Sequence, residues 1–196
     1  MSSIKIAILA SGSGSNAENI FNYFSGRTNV DISLIISNKD NAFVLKRAER
    51  LGIPSMALTK AELDNPKLFL EILRERKIDF IVLAGYLLKI PSELTVAYHD
   101  RIVNIHPALL PKYGGKGMYG DHVHEAVINS GDKISGITIH MVNEHYDQGK
   151  TVFQAMCPVN ENDTPDSLAL KVHTLEYRHF PRVIDDILKK TFPDRM

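Results

Sequence analysis

The sequence predicts an α/β fold with a mostly parallel central sheet and helices on both faces. Short apolar runs rich in β-branched residues alternate with longer segments of helical spacing, which is the pattern of strand–helix–strand units. The first apolar run leads into a Gly/Ser-rich loop and then a helical segment. The 196 residues, 44% hydrophobic and 23% charged, contain no repeat or linker, so we expect one domain over residues 1–196.

The strands follow from the apolar runs, and are predicted at 4–9, 32–36, 80–83, 102–105, 134–142 and 152–159, the last two as a pair. Helical spacing predicts helices at 17–24, 42–51, around 68–73, at 122–129 and from 165 onward. We expect Asn41 to cap the second helix, Gly52 to end it, and Thr164 to cap the last one, with Pro165 in its first turn. Pro181 is predicted to kink or break that last helix. Residues 112–121, with four glycines, are predicted to form a loop.

Composition argues against several functional classes. The 23 basic and 23 acidic residues balance, so charge gives no reason to expect nucleic acid or an acidic membrane as a partner. Cys157 is the single cysteine, which excludes an internal disulfide and fits a reducing compartment. The N-terminus lacks signal-peptide character, and no apolar stretch reaches the roughly 20 residues of a membrane helix. The expected location is cytoplasmic.

The loop Ser-Gly-Ser-Gly-Ser-Asn at 11–16 is a candidate anion cradle between a strand and a helix. Glycines let the backbone approach a phosphate, and free N–H groups at a helix start attract negative charge. The loop lacks the Lys and Ser/Thr of a P-loop, and Ala17 stands where a dinucleotide fingerprint has its third glycine. From these residues alone, a phosphate site and a tight turn without a ligand are equally well supported.

A second candidate site lies at the end of a predicted parallel strand, where open α/β sheets place their ligands. Asn104 and His106 are two residues apart, so their side chains share one face of the strand. A carboxamide and an imidazole side by side suit acyl transfer, since both stabilise a developing oxyanion. A buried structural histidine is the competing interpretation. Asp147 is a candidate partner for the imidazole, but as an Asp two residues before a glycine it equally fits an ordinary turn.

Five motifs occur in a fixed order along the chain. They are Ser-Gly-Ser-Gly-Ser-Asn at 11–16, Leu-Ala-Gly-Tyr at 83–86, Asn-Ile-His-Pro-Ala-Leu-Leu-Pro-Lys-Tyr at 104–113, Gly-Ile-Thr-Ile-His at 136–140 and Tyr-Asp-Gln-Gly at 146–149. Together they resemble the folate-dependent phosphoribosylglycinamide formyltransferases over nearly the whole chain. The resemblance implies a single-domain, Rossmann-like formyltransferase fold.

The resemblance also implies a mechanism. Asn104, His106 and Asp147 match the family's catalytic residues. The amine of glycinamide ribonucleotide would attack the formyl carbon of 10-formyltetrahydrofolate, the co-substrate. Asn104 and protonated His106 would stabilise the oxyanion, while Asp147 would raise the pKa of His106 and organise a proton-relaying water. No metal is implied. The partners would be these small molecules, with no nucleic acid or membrane, and the protein would be a monomer or homodimer.

Binding residues are implied in the same way. The ribonucleotide would contact Gly14, Ser15, Asn16, His173 and Glu176, the last two sharing a helix face by their i, i+3 spacing. The folate would contact Asn104 and two segments, Leu87, Leu88, Lys89 and Ile90 through backbone groups, and Val142, Asn143, Glu144, His145 and Tyr146.

The chain departs from the family pattern at three places. A basic residue near the folate tail has no clear counterpart around Lys67, the 114–120 loop is longer than usual, and Gln148 replaces a glycine. None of these changes removes a catalytic group.

Four rival functions share features with this chain. Methionyl-tRNA formyltransferase, formyltetrahydrofolate hydrolase and sugar-nucleotide formyltransferases are expected to be longer, and the neutral charge disfavours tRNA. The fourth alternative, a catalytically silent binding module, is disfavoured because all three catalytic positions are filled.

Overall fold

The computed structural model describes residues 2–196. Its strands are β1 (Ile4–Leu9), β2 (Val30–Ser37), β3 (Ser55–Ala57), β4 (Phe80–Leu83), β5 (Ile102–His106), β6 (Ile134–Met141) and β7 (Thr151–Pro158). Its helices are α1 (Ser15–Phe24), α2 (Phe43–Leu51), α3 (Lys60–Leu63), α4 (Pro66–Glu75), α5 (Ser92–Ala97), α6 (Asp121–Ser130) and α7 (Pro165–Thr191), followed by a 3₁₀ turn at Pro193–Arg195.

The strands form one seven-stranded sheet in the order β3-β2-β1-β4-β5-β6-β7. The pairs from β3 to β5 are parallel. The pairs β5–β6 and β6–β7 are antiparallel. This mostly parallel sheet confirms the predicted fold class, including the pairing of the last two long strands.

Apolar side chains cover both faces of the sheet. In β1, Ile4, Ile6 and Ile8 join one core cluster with residues of α1, α2, α6 and α7. The alternate residues Ala7 and Leu9 join a second cluster with residues of α3, α4 and α5. Burial on both faces explains why β1 is a continuous apolar run without polar alternation. Among residues 2–196, no helix combines the length and apolar character needed to cross a bilayer.

The predicted cap of α2 was wrong, and the predicted break at Pro181 does not occur. The residue preceding α2 is Ala42, not Asn41, and no side chain caps the helix. Instead, the Val44 N–H donates to the carbonyl of Gly12, 3.1 Å away, so a tertiary contact replaces the local cap. Pro181 does not break α7, which runs uninterrupted from Pro165 to Thr191.

Packing on both sides of Pro181 accounts for that continuity. Phe180 and Ile184 are fully buried, and their burial offsets the cost of one missing backbone hydrogen bond.

Other helix ends lie where the sequence predicts them. Gly52 ends α2 with φ 70°, and Thr164 caps α7 through a capping box with Ser167. The elements β3, α3 and α5 escaped prediction because they have only three, four and six residues.

The sheet order brings three chain segments to one edge. β1, β4 and β5 are adjacent and parallel, so the segments that follow them leave the sheet on the same side. They are tied together there, since the Ser11 N–H donates to the carbonyl of Gly85 at 3.0 Å and the Leu87 N–H donates to the hydroxyl of Ser11 at 2.9 Å. The candidate site lies at this edge.

Candidate active site

A cavity of about 610 Å³ opens at the carboxyl edge of β1, β4 and β5. Its volume lies within the roughly 300–1,000 Å³ typical of small-molecule sites. The lining comes from residues 11–16, 84–87, 104–107, 115–121 and 146–147, together with Lys39, His124, Ala169, His173 and Glu176. The three predicted catalytic residues and the five predicted ribonucleotide residues therefore line a single cavity.

The Gly/Ser loop approaches α2 closely at Gly14. Gly14 has φ 75°, and a Cβ there would lie 2.4–2.8 Å from atoms of Val44. Only glycine satisfies both the left-handed conformation and this contact. Helix α1 begins directly afterwards at Ser15, so its first N–H groups have no partner within the helix. The loop has the geometry of an anion cradle.

Asn16, His173 and Glu176 form a buried polar cluster beside that loop. Glu176 is 5% exposed, and its Oε2 accepts hydrogen bonds from Asn16 Nδ2 at 2.9 Å and from His173 Nδ1 at 2.8 Å. The hydrogen bond to Glu176 raises the pKa of His173, although burial opposes it. Asn16 Oδ1 is buried and finds no partner within residues 2–196. It is an acceptor available to a ligand.

Asn104 and His106 lie on β5 as predicted. His106 is 3% exposed, and its Nε2 lies 2.7 Å from the carbonyl oxygen of Tyr113. A carbonyl only accepts hydrogen bonds, so Nε2 carries a proton and Nδ1 is the nitrogen that exchanges one. Thr138 holds the segment after β5 in place, since its hydroxyl donates to the Ala108 carbonyl at 2.7 Å and accepts from the Leu110 N–H at 2.9 Å.

Asp147 reaches this site from the loop between β6 and β7. Its Oδ2 lies 3.7 Å from His106 Nδ1 and accepts a hydrogen bond from the Gly115 N–H at 2.9 Å. Its Oδ1 lies 3.6 Å from His140 Nε2. Burial alone would raise the pKa of Asp147, but His140, the Gly115 N–H and the charge of His106 together hold it below its usual value. Asp147 is therefore a carboxylate at neutral pH.

The net effect on His106 differs from the expectation of a charged imidazole. Burial lowers its pKa below the ordinary value, and Asp147 and the Tyr113 carbonyl oppose that shift without cancelling it. Asp147 thus acts on the imidazole in the expected direction, but desolvation is the larger effect. At neutral pH, His106 is a neutral imidazole with Nδ1 facing a carboxylate.

His140 belongs to this site, although no role was predicted for it from the sequence. It is 2% exposed and pairs with Asn104 across the antiparallel register of β5 and β6. Its Nδ1 lies 3.0 Å from the Met141 carbonyl oxygen, and its Nε2 lies 3.6 Å from Asp147 Oδ1 and 3.1 Å from Asn104 Nδ2. This contact turns the Asn104 amide nitrogen toward His140. The sequence does show a histidine inside the mostly apolar strand β6. Its pairing with Asn104 depends on the register between β5 and β6, which the sequence does not reveal.

His124 is the second residue that the sequence did not identify. It lies on α6, lines the cavity and is 3% exposed. Its Nδ1 is buried and unpaired within residues 2–196. Burial, and then the charge of His173, lower the pKa of His124.

Some of the predicted folate residues line the cavity, whereas others lie in the core or on the surface. Leu87 and Tyr146 line the cavity, and Lys89 Nζ lies 5.9 Å from the Tyr146 ring centre, which joins the two segments. Leu88 and Val142 pack against the core, and Ile90 is 4% exposed within it. Asn143 closes its own loop by accepting from the His145 N–H at 2.9 Å. Glu144 and His145 are exposed and lie outside the cavity lining.

Comparison with known proteins identifies the family. The profile of the formyl transferase family matches residues 4–184. The chain is 42% identical over 192 residues to the chloroplastic phosphoribosylglycinamide formyltransferase of Arabidopsis thaliana, covering 95% of this chain and 66% of that protein. It is 35% identical over 189 residues to the phosphoribosylglycinamide formyltransferase of Bacillus subtilis, covering 94% of each. The chain thus spans about two thirds of the plant relative and nearly all of the bacterial one.

Solved structures agree with the sequence comparison. The phosphoribosylglycinamide formyltransferase of Bacillus halodurans superposes with a TM-score of 0.86 at 35% identity, covering 95% of this chain and 96% of that one. The Streptococcus pneumoniae protein of the same name gives a TM-score of 0.83 at 36% identity, covering 94% and 98%. The chain therefore belongs to the formyl transferase family, among the relatives named phosphoribosylglycinamide formyltransferase.

Proposed function

We propose that this chain transfers the formyl group of 10-formyltetrahydrofolate to the amine of N1-(5-phospho-D-ribosyl)glycinamide, a step of purine (IMP) biosynthesis. The observation that carries the proposal is one cavity that joins an anion cradle at 11–16 to Asn104, His106 and Asp147. A phosphate-bearing amine bound in the cradle has its reactive end directed at an acyl-transfer site.

The acceptor occupies the end of the cavity formed by the Gly/Ser loop and α7. Gly14, Ser15 and Asn16 bind the phosphate, because unpaired N–H groups at a helix start favour an anion. Glu176 and His173 contact the ribose, where the buried carboxylate accepts hydrogen bonds from hydroxyl groups. When the ribonucleotide binds, the unpaired Oδ1 of Asn16 accepts a hydrogen bond from a ribose hydroxyl group. This removes the cost of an unsatisfied buried acceptor.

The donor occupies the opposite end. The folate ring lies between the segments 87–90 and 142–146, where Leu87 and Tyr146 line the cavity. Since Ile90 and Leu88 point into the core, their contribution is through backbone groups. This arrangement tolerates a change of side chain in the segment 87–90.

The reaction forms one bond and breaks one. The substrate amine attacks the formyl carbon, which forms the new C–N bond and places a negative charge on the formyl oxygen. An N–H of Asn104 and protonated His106 stabilise this oxyanion. Its collapse breaks the bond between the formyl carbon and N10 of the folate, and the proton lost by the amine is delivered to N10. Asp147 orients the water that relays it.

The imidazole of His106 becomes positively charged as the oxyanion forms. In the protein alone, burial favours neutral imidazole. An oxyanion beside it adds a second negative charge to that of Asp147, and two nearby anions favour the imidazolium. His106 therefore takes up the amine's proton at Nδ1 through the relaying water and returns it to N10 as the C–N10 bond breaks, while the Tyr113 carbonyl keeps Nε2 protonated throughout.

Turnover with and without the acceptor tests the proposal. The purified protein is incubated with 10-formyltetrahydrofolate, with or without glycinamide ribonucleotide, and both tetrahydrofolate release and product mass are followed. Formylated ribonucleotide in the complete mixture is expected. Release of tetrahydrofolate without the acceptor would instead indicate a hydrolase. Absence of turnover in both mixtures, with the protein folded, would refute formyl transfer to this amine.

A further inference from the structure

The loop at 11–16 is held from behind by α2. The Val44 N–H donates to the Gly12 carbonyl at 3.1 Å, and Arg47 Nε donates to the Ser13 carbonyl at 2.8 Å. Residues 11–16 line the cavity, whereas none of the residues of α2 does. Helix α2 therefore binds the side of the loop that faces away from the cavity.

These two contacts determine where the neighbouring N–H groups of the loop point. In a planar trans peptide, the carbonyl of one residue and the N–H of the next point in opposite directions. When α2 binds the carbonyls of Gly12 and Ser13, the N–H groups of Ser13 and Gly14 point away from α2. Neither N–H donates to another group within residues 2–196. Both are free to bind an anion in the cavity.

Arg47 is itself fixed in position. Its guanidinium pairs with Glu18 of α1, and its Cζ lies 5.0 Å from the centre of the Phe43 ring. The planar guanidinium presents several donors in fixed directions, so a single side chain holds both the Ser13 carbonyl and the Glu18 carboxylate. The contact thus joins the loop to α1, whose first turn completes the anion cradle.

We propose that Arg47 is a positioning residue for the substrate phosphate: by binding the Ser13 carbonyl it directs the Gly14 N–H toward the phosphate without touching the substrate. The inference rests on the proposed function, because it takes the ribonucleotide phosphate as the anion in the cradle. It assigns to α2 a role in substrate affinity, although α2 lies outside the cavity.

Replacing Arg47 with Met tests the inference. R47M keeps an unbranched apolar stem but removes the donor and the charge. We expect KM for glycinamide ribonucleotide to rise about tenfold, the effect of losing roughly one hydrogen bond to an anion. We expect kcat and KM for the folate to change less than about twofold, since the remaining cavity is unaltered. Inhibition by ribose 5-phosphate should weaken by the same factor as ribonucleotide binding.

The matched control is R50M. Arg50 pairs with the same carboxylate, Glu18, from the same helix and is 60% exposed, but it makes no hydrogen bond to the loop. We expect its KM values to stay within about twofold of wild type. An equal rise in R50M would show that α2 acts only through net charge, and an unchanged KM in R47M would show no positioning role. Either result overturns the inference.

Two further arms keep the test decisive. If R47M does not fold, R47K retains the charge but lacks the fork that binds two partners, and a several-fold rise in KM is expected. An unchanged KM in R47K would contradict the proposal. If wild-type protein shows no turnover, the proposed function fails, and calorimetric titration with ribose 5-phosphate still tests Arg47, because weaker binding by R47M than by R50M is then the required result.

Discussion

His106 and Asp147 face each other with 3.7 Å between Nδ1 and Oδ2. His106 ends β5, whereas Asp147 lies in the loop between β6 and β7. The Tyr113 carbonyl holds the opposite nitrogen of the imidazole at 2.7 Å. The ring is therefore held between a carbonyl, which fixes the tautomer, and a carboxylate, which favours protonation of the other nitrogen.

Replacing Asp147 with Asn should lower the pKa of His106 further. The carboxylate opposes the effect of burial on that pKa, and the neutral amide cannot do so. We expect kcat to fall by about 10²-fold or more, the scale of losing acid–base assistance. NMR titration of the imidazole measures the first effect and single-turnover kinetics the second. A His106 pKa that does not move downward would refute the role of Asp147.

Replacing His106 with Ala should abolish most turnover while binding is retained. In the proposed mechanism the imidazole stabilises the charge of the transition state, so kcat is expected to fall by about 10²–10⁴-fold. Ribonucleotide affinity, measured by calorimetry, should change little because the proposed phosphate and ribose contacts lie elsewhere in the cavity. Unchanged turnover would contradict the mechanism, and full loss of binding would assign His106 to substrate affinity instead.

Replacing Glu176 with Gln should lower the pKa of His173 and weaken ribonucleotide binding. Glu176 raises that pKa through a 2.8 Å hydrogen bond, and the neutral amide lacks its charge. We expect KM for the ribonucleotide to rise about tenfold. The matched control is E125Q, because His122 and Glu125 have the same i, i+3 spacing on α6 but are 62% and 55% exposed. Equal effects of the two substitutions would rule out a specific role for the buried pair.

Gly14→Ala should destabilise the protein, whereas Gly12→Ala should not. At Gly14 a Cβ meets Val44 at 2.4–2.8 Å and the backbone has φ 75°. Left-handed strain and overpacking together are expected to cost about 2–4 kcal/mol of unfolding free energy. At Gly12 no atom lies within 4 Å of the new Cβ. Urea unfolding of both variants measures the difference, and equal midpoints would contradict this account of the loop.

Stability should fall as the solution becomes acidic. The folded-state pKa values of His106 and His124 are both lowered by burial, so the unfolded chain binds protons more readily. The contribution of these two histidines to the free energy of unfolding is fully present above the pKa of about 6.5 that they have in the unfolded chain. It is lost as the pH falls through their folded-state pKa values. His173 has the opposite effect, because its folded-state pKa is raised. Its contribution to the free energy of unfolding is lost as the pH rises through that pKa.

His124→Gln isolates one of these groups. The decline of unfolding free energy between about pH 7 and 5 should become shallower, by at most about 1.4 kcal/mol per pH unit for one proton. His99→Gln is the control, because its side chain is 81% exposed. Urea unfolding at several pH values provides the measurement. A slope in H124Q identical to wild type would exclude His124 as a source of the acid sensitivity.

Much of the fold followed from local patterns. The strand Phe80–Leu83 has the predicted bounds, because the run of large apolar residues starts after Asp79 and ends before Ala84 and Gly85. The cap at Thr164 was also predictable, since a capping box is made by residues three apart. Asn41 and Pro181 show the limit: in both cases, a tertiary contact or buried packing outweighed the local preference.

The candidate site divides in the same way. The sequence by itself determined which side chains share a face, Asn104 with His106 on a strand and His173 with Glu176 on a helix, because backbone periodicity sets those relations. Only the tertiary structure decided that Asp147 lies beside His106, that Asn16 binds Glu176 and that Arg47 holds the Gly/Ser loop. These pairs are far apart along the chain, so their distances depend on sheet order and helix packing, which no local spacing specifies.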